Sequence, residues 1–154
     1  MSDFLFLDTS VLVEYLVDGE KAGIAEEILL GPWAFLTSPT VYREAIGALA
    51  LIIGREKFGI KGKYSLRKFV ARKGWGPFSD VVTSLNGLLD ELGVIIVPPD
   101  SFRREELYDT MKEYNLMPSD AQIVLACRNH NVKHIATFDS DFKRVKWLKT
   151  LGGV

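Results

Sequence analysis

The chain is poor in the side chains that staple or tether a protein. It has one cysteine, Cys127, in 154 residues, so no intrachain disulfide can form and a reducing cytoplasm is its expected home. With only two histidines it also lacks the means for a soft metal site. Cys127, His130 and His134 are spaced three and four apart, but a fourth zinc ligand is missing, and a buried helix position, a helix end and a strand start need not converge. Long apolar runs are absent too. The opening stretch MSDFLFLDTSVLVEYLVDGE is apolar but interrupted by Asp3, Asp8 and Glu14, so it lacks both the roughly twenty uninterrupted apolar residues of a membrane span and the basic leader of a signal peptide. It is expected to be mature sequence, a strand followed by a helix. There is no low-complexity tract and no internal repeat, and Gly152-Gly153 lacks the strand–loop–helix context that cradles a phosphate. What remains is an ordinary globular composition, 47% hydrophobic and 25% charged, in a length that suits a single domain, 1–154.

An excess of charge is also lacking, since the net charge is −1, so the whole molecule is no polycation. The average conceals a segment. Between Arg55 and Gly74 stand Arg55, Lys57, Lys61, Lys63, Arg67, Lys68, Arg72 and Lys73 against Glu56 alone. That is +7 locally and therefore −8 for the rest of a chain whose net charge is −1. Such asymmetry suits a protein that grips a polyanion at one place and binds cations at another, although a solvated helical face has the same composition.

Apolar runs and turn signals alternate along the chain. Asp3–Leu7 reads as a strand buried on both faces, followed by helices to Gly19 and over Glu20–Leu30. A strand at Trp33–Thr37 leads into Ser38-Pro39, a cap and a first-turn proline, and a helix to about Ile53. The basic stretch, a helical insertion at about 55–77 broken by Gly59 and Gly62, holds one helix near Ser65–Arg72. Helices at Ser79–Leu92 and Ser101–Tyr114 flank a strand at Gly93–Val97. Ser119 is read as the cap of a helix that ends at Arg128-Asn129-His130-Asn131. A strand at His134–Phe138 and room for a short edge strand within Lys143–Val154 complete the pattern. Strands alternating with helices imply an α/β fold, a central parallel sheet of 4–5 strands between two helical layers, with strand order not legible.

Five acids stand where such a fold concentrates chemistry. Asp8 and Asp139 each follow an apolar strand, and in a parallel sheet both open onto the edge outside the carboxyl ends, where ligands bind. Asp120 opens the helix leading into the Asp139 strand, and Asp141 stands two residues after Asp139. Glu44, on a helix entered from a strand end, is expected to point into its apolar surroundings, Ala45, Ile46, Ala48, Leu49 and Ala50, where it needs a partner to offset its desolvation. Singly, each has a plain structural use: a turn residue, a helix N-terminal charge, a surface ion pair. Together they would repel one another without a cation between them, and all-oxygen donors suit Mg²⁺ or Mn²⁺.

These residues carry a resemblance. Phe6-Leu7-Asp8-Thr9-Ser10-Val11, Ser38-Pro39-Thr40-Val41-Tyr42-Arg43-Glu44, Ser119-Asp120-Ala121-Gln122-Ile123 and Thr137-Phe138-Asp139-Ser140-Asp141-Phe142 resemble, in order, the four acidic motifs of the PIN domain family, and within it the ribonuclease toxins of VapBC toxin–antitoxin pairs. The resemblance implies a three-layer α/β/α fold and a Mg²⁺- or Mn²⁺-dependent endoribonuclease. It implies Asp8, Glu44, Asp120 and Asp139 as the catalytic, metal-binding quartet, Asp141 as a water-mediated ligand, and Ser10 and Thr137 as residues orienting water or carboxylates. It also implies an RNA substrate, a small antitoxin partner and a homodimer. The segment at about 55–77 is longer than a minimal toxin of this kind needs. Its Lys61, Lys63, Arg67, Lys68, Arg72 and Lys73, with Arg43 beside Glu44, are candidate phosphate contacts for unpaired RNA, and Tyr64, Phe69 and Trp75 are candidate stacking rings or core residues. Two other readings compete: a catalytically inactive RNA-binding or protein-interaction module on the same fold, and aspartyl phosphotransfer at Asp8. The second lacks the aspartate two residues on that such phosphatases use, because Ser10 stands there.

Overall fold

The structure, a computed structural model, describes residues 3–98 and 102–153. Strand β1 (Phe4–Leu7) buries Leu5, Phe6 and Leu7 in succession, so both of its faces are covered and it belongs in the middle of a sheet. It pairs in parallel with β2 (Ala34–Thr37) on one side and β4 (His134–Ala136) on the other. β3 (Ile95–Ile96) adds to β2 and β5 (Lys149–Leu151) to β4, giving a fully parallel sheet in the order β3-β2-β1-β4-β5. The chain therefore builds outward from β1 through β2 to β3, then returns to the other side of β1. That reversal opens a crevice at the carboxyl ends of β1 and β4.

Helices flank the sheet: α1 (Thr9–Leu16) and α2 (Ala22–Leu29) pack on each other, as do α6 (Arg104–Tyr114) and α7 (Pro118–Asn129). α3 (Pro39–Phe58) packs on α1 and touches α4 (Lys63–Lys73), α5 (Ser79–Glu91) and α7. Their apolar faces meet the strands in one core that runs from Leu5 to Leu148, with Val41, Leu85, Ile123 and Phe142 among its members. A second, smaller cluster of Ala50, Ile60, Leu66 and Phe78 seats α4 on α3. Among the described residues no helix is long and apolar enough to cross a membrane.

Several boundaries differ from the sequence reading. Helix α3 does not stop near Ile53: it runs through Gly54 and closes at Gly59, whose φ of 65° is the left-handed C-cap conformation. Gly54 is there for contact rather than termination, because a Cβ on it would come within 2.8 Å of Ile60 Cδ1. Arg55 and Lys57 consequently lie in the last turn of α3, where cations complement the helix carbonyls, and not in a loop. Ser119 is not a cap: Pro118 takes the first helical position and Met117 is the N-cap, without a side-chain bond. Ser38, by contrast, does cap α3, its Oγ accepting the Val41 N–H at 3.3 Å. β3 keeps only two residues of the run expected to pair, and Ser101 lies outside the described residues. The helix expected from it starts instead at Arg104, its first turn fastened by the Arg103 N–H donating to Glu106 Oε1 at 3.2 Å.

Candidate active site

Asp8 is the residue immediately after β1, and its backbone N–H continues the sheet ladder by donating to Ala136 O at 3.0 Å. Its side chain is only 6% exposed. Burial of a carboxylate is costly without donors, and here two hydroxyls supply them. Thr137 Oγ1 donates to Asp8 Oδ2 at 2.7 Å and Ser10 Oγ donates to the same oxygen at 3.1 Å. Both hydroxyl protons are thereby spent, so the two oxygens are free to accept. Ser10 Oγ accepts the Phe138 N–H at 2.9 Å, and Thr137 Oγ1 accepts the Asp139 N–H at 3.0 Å. Thr37 adds a third strand to the knot by donating to Leu7 O at 2.9 Å. The ends of β1, β2 and β4 are thus laced together by three hydroxyl side chains around one buried acid.

The other acids arrive from separate elements. Asp139 caps the short 3₁₀ turn Ser140–Arg144, with Oδ1 accepting the Asp141 N–H at 2.9 Å. Asp120 lies in the first turn of α7, and oxygens of Asp120, Asp139 and Asp141 all lie within 4.8 Å of one another. Glu44 reaches the crevice from α3. Contrary to the sequence reading, it does not point into its apolar neighbours: Ala45, Leu49 and Ala50 face the core while Glu44 stands exposed on the other side of the helix. Asp8, Glu44, Asp120 and Asp139 line a single cleft of about 730 Å³.

Crowding like charges in a desolvated place favours their neutral forms. The Asp120 carboxyl is pushed up to about 7, first by burial and then by the charges of Asp139, Asp8, Glu44 and Asp141. Burial also raises Asp8, opposed by the bonds from Thr137, the Thr9 N–H and Ser10, and reinforced by Asp139. Glu44, exposed at the rim, is raised by partial desolvation of its carboxyl and by Asp8, with Arg43 and Lys63 pulling the other way. A divalent cation removes this repulsion, and a donor set made wholly of carboxylate oxygens fits a hard ion. Asp141 differs from its companions. Its Oδ1 is held by Arg144 Nη2 at 2.6 Å, while Arg144 Nη1 donates to Asn115 O at 2.6 Å and so fastens the pair to the end of α6. An acid already neutralised in this way is a poorer direct ligand than the others.

The basic residues fall into two groups. Lys63, at the start of α4, is close enough to Glu44 to act on its charge, whereas Lys61, Arg67, Lys68, Arg72 and Lys73 are exposed beyond it. Lys68 sits over the Tyr64 ring at 4.6 Å and Arg72 over Phe69 at 5.9 Å. Phe69 is a packing residue, stacked on Phe58 and edge-on to Phe78, so stacking on a base is left to the exposed Tyr64 and Trp75. Arg43 is exposed and lines a separate hollow with Pro98, Phe102 and Gln122. Cys127 is buried, its thiol pushed up by burial, and takes no part in any metal-binding group among the described residues.

Glu14, Gly19, Lys21 and Phe138 also line the cleft and escaped the sequence reading. The signal for Glu14 was present: Thr9, Ser10, Val13 and Glu14 fall on one face of a helix that starts at Asp8. Lys21 had none, because only the folded turn between α1 and α2 brings it beside Phe138.

The chain is thus a parallel α/β/α sandwich with carboxylates gathered at the switch point of its sheet, where ligands bind in such folds. The chain belongs to the PIN domain family, whose model matches residues 5–148. It is 26% identical over 148 residues to Ribonuclease VapC6 of Methanocaldococcus jannaschii, across 96% of this chain and 95% of that protein. Among solved structures it is similar to VapC20 of Mycobacterium tuberculosis, described as a sarcin-ricin loop cleaving toxin, with a TM-score of 0.62 and 14% identity over 92% of this chain and 94% of the other. A toxin–antitoxin complex from Klebsiella pneumoniae matches with a TM-score of 0.55 and 16% identity, covering 96% and 95% of the two chains. At such identities these two likenesses speak for the fold.

Proposed function

We propose that this protein is a divalent-metal-dependent endoribonuclease that cleaves RNA phosphodiester bonds, and that it acts as the toxin of a toxin–antitoxin pair. The observation that carries the reading is the convergence of Asp8, Glu44, Asp120 and Asp139, from four separate elements, on one cleft. The names of its relatives agree with it, and the basic helix α4 beside Glu44 supplies the cations that a polyanionic substrate needs. Asp8, Asp120 and Asp139, with Glu44 at the rim, would hold Mg²⁺ or Mn²⁺, and Asp141, engaged by Arg144, would act through water.

A bound ion would supply Lewis acidity toward a phosphoryl oxygen and lower the pKa of a water, making a nucleophile available near neutral pH. The chain's own part is positioning. Ser10 and Thr137 fix the Asp8 carboxylate, and Thr137 also fixes the Asp139 backbone, so two acids far apart in sequence, after the paired strands β1 and β4, keep one spacing. Lys63 and the exposed cations of α4 track the phosphates that lead into the cleft, with Tyr64 and Trp75 available to unpaired bases. Arg43, next to Glu44 in sequence but lining a separate hollow, is a further candidate phosphate contact. A small antitoxin and a second copy of the chain are the partners this reading assigns. The segment 55–77 is read as a basic outgrowth on a single PIN-type unit.

The test is cleavage of a structured RNA by the wild type and by Asp8→Asn and Asp120→Asn, with Mg²⁺ or Mn²⁺ and with chelator. The wild type cleaves only with metal, and each variant loses more than about a hundredfold in rate while keeping its fold. Undiminished metal-dependent cleavage in both variants overturns the assignment. Salt-sensitive RNA binding with no turnover in either metal would turn it into the inactive-module reading.

A further inference from the structure

We propose that Lys21 is a substrate-positioning residue that contacts a backbone phosphate of the RNA strand lying in the cleft, an inference that rests on the nuclease reading. The cleft is lined by Asp8, Glu14, Glu20, Glu44, Asp120 and Asp139, and Lys21 is the one basic residue among its described lining residues. A phosphodiester entering such a wall meets repulsion at every point that a bound cation does not cover. Lys21 is placed to relieve it. Its Nζ lies 5.2 Å from the centre of the Phe138 ring, and Phe138 is the residue between Thr137 and Asp139. The ammonium makes no ion pair with any described residue, so its donors are available to a ligand.

The turn that carries Lys21 is built and not merely long enough. Asp18 adopts a left-handed φ of 53°, and the Gly19 N–H returns to Glu14 O at 3.0 Å. Glu14 then folds its carboxylate against the Cα of Gly19 and accepts the Lys21 N–H at 2.7 Å. Any Cβ on Gly19 would collide with that carboxylate. An acid in the cleft wall is thereby spent on holding the backbone of the lysine, and the missing Cβ of Gly19 gives its carboxylate the room to lie there. The arrangement leaves the ammonium tethered at its root and seated on a ring by a cation–π contact, which aims it without neutralising it.

The experiment measures binding of a short unpaired RNA in chelator, as a function of salt, alongside steady-state cleavage with Mn²⁺. Lys21→Met lowers the slope of log affinity against log salt by about 0.7, the loss of one phosphate contact on a single strand, and raises KM about tenfold with kcat within about twofold. Lys21→Arg restores both, and Gly19→Ala, which displaces Glu14, reproduces the Lys21→Met change in slope with Lys21 still present. Melting of the exposed Lys21→Met variant stays at the wild-type temperature. An unchanged slope and KM in Lys21→Met, with Asp8→Asn inactive, overturns the proposal and leaves the nuclease reading standing. A fall in kcat at constant KM overturns the positioning role. A wild type that neither binds nor cleaves RNA removes the nuclease reading and the proposal with it.

Discussion

The acidic cleft and the basic helix α4 are built by opposite means. The cleft is held by bonds between residues far apart in sequence, such as Thr137 to Asp8 across 129 positions, and its four converging acids, Asp8, Glu44, Asp120 and Asp139, arrive from four different elements. Helix α4 is held by a local patch, Ala50, Ile60, Leu66 and Phe78, fastened by Phe58, Phe69 and Phe78 ring contacts within one stretch of chain. Non-local polar lacing in the cleft fixes the spacing of charges that would otherwise separate. A local apolar patch fixes only where a helix sits and leaves its charged face open. Geometry is specified in the first region and attachment in the second.

The largest effect that tests this division is expected from Phe78→Ala. Phe78 is fully buried at the centre of the α4 patch, and its truncation costs about 3–5 kcal/mol. If the two regions are separately held, hydrogen exchange will show the loss of protection concentrated in residues 50–78 while β1 and β4 keep theirs. Equal loss across the sheet would show that they form one cooperative unit.

Thr137→Val strikes the other region. It removes the donor to Asp8 and the acceptor for the Asp139 N–H at a fully buried site, so about 1–3 kcal/mol of stability and about 10–100-fold in cleavage rate are expected to go together. Denaturant titration and initial rates measure the two. Lost stability with full activity would mean that the hydroxyl laces the strands without setting the acids.

A smaller effect concerns the cost of gathering the charges. Asp120 holds its proton up to about pH 7 when folded, against a model-peptide value of 3.8. Between those values the folded state keeps a proton that the unfolded chain releases, so stability without divalent ions falls as pH rises through this window and levels off above it. Asp120→Asn is therefore more stable than the wild type above pH 7, by of order 1 kcal/mol or about 2–4 °C in Tm, and the gap closes near pH 4. A gap independent of pH would place the acid outside the cluster. The smallest change belongs to α4: Lys68→Glu with Arg72→Glu lowers the salt slope of RNA binding by about 1.4 while leaving the Tm unaltered.

Much of the cleft was legible because strand ends are. Asp8 and Asp139 could be placed on one edge from the apolar runs before them, Glu44 from a helix entered from a strand end, and Asp120 from the helix that leads into the Asp139 strand. What the linear pattern does not carry is direction about a helix axis. Glu44 was read as pointing inward from its apolar neighbours, when those neighbours occupy the opposite face. Glycine was ambiguous for a related reason: Gly54 looks like a stop and is a point of close approach to Ile60, while Gly59 is the true terminus. Ser119 looked like a cap, but the Met117-Pro118 backbone had already started the helix. Lys21 was invisible for a deeper reason, since it comes beside Phe138 only through a tertiary contact with no local sequence signature, whereas Glu14 shares a helix face with Ser10 and Arg144 stands three residues from Asp141.

The claim on which the account stands is that Asp8, Asp120 and Asp139 share one hard cation. Anomalous diffraction from crystals soaked in Mn²⁺ tests it directly. The account predicts a peak within coordination distance of carboxylate oxygens from those three residues, lost in Asp8→Asn. A cleft that stays without a peak at millimolar Mn²⁺, or a peak confined to surface acids away from Asp8, would contradict it.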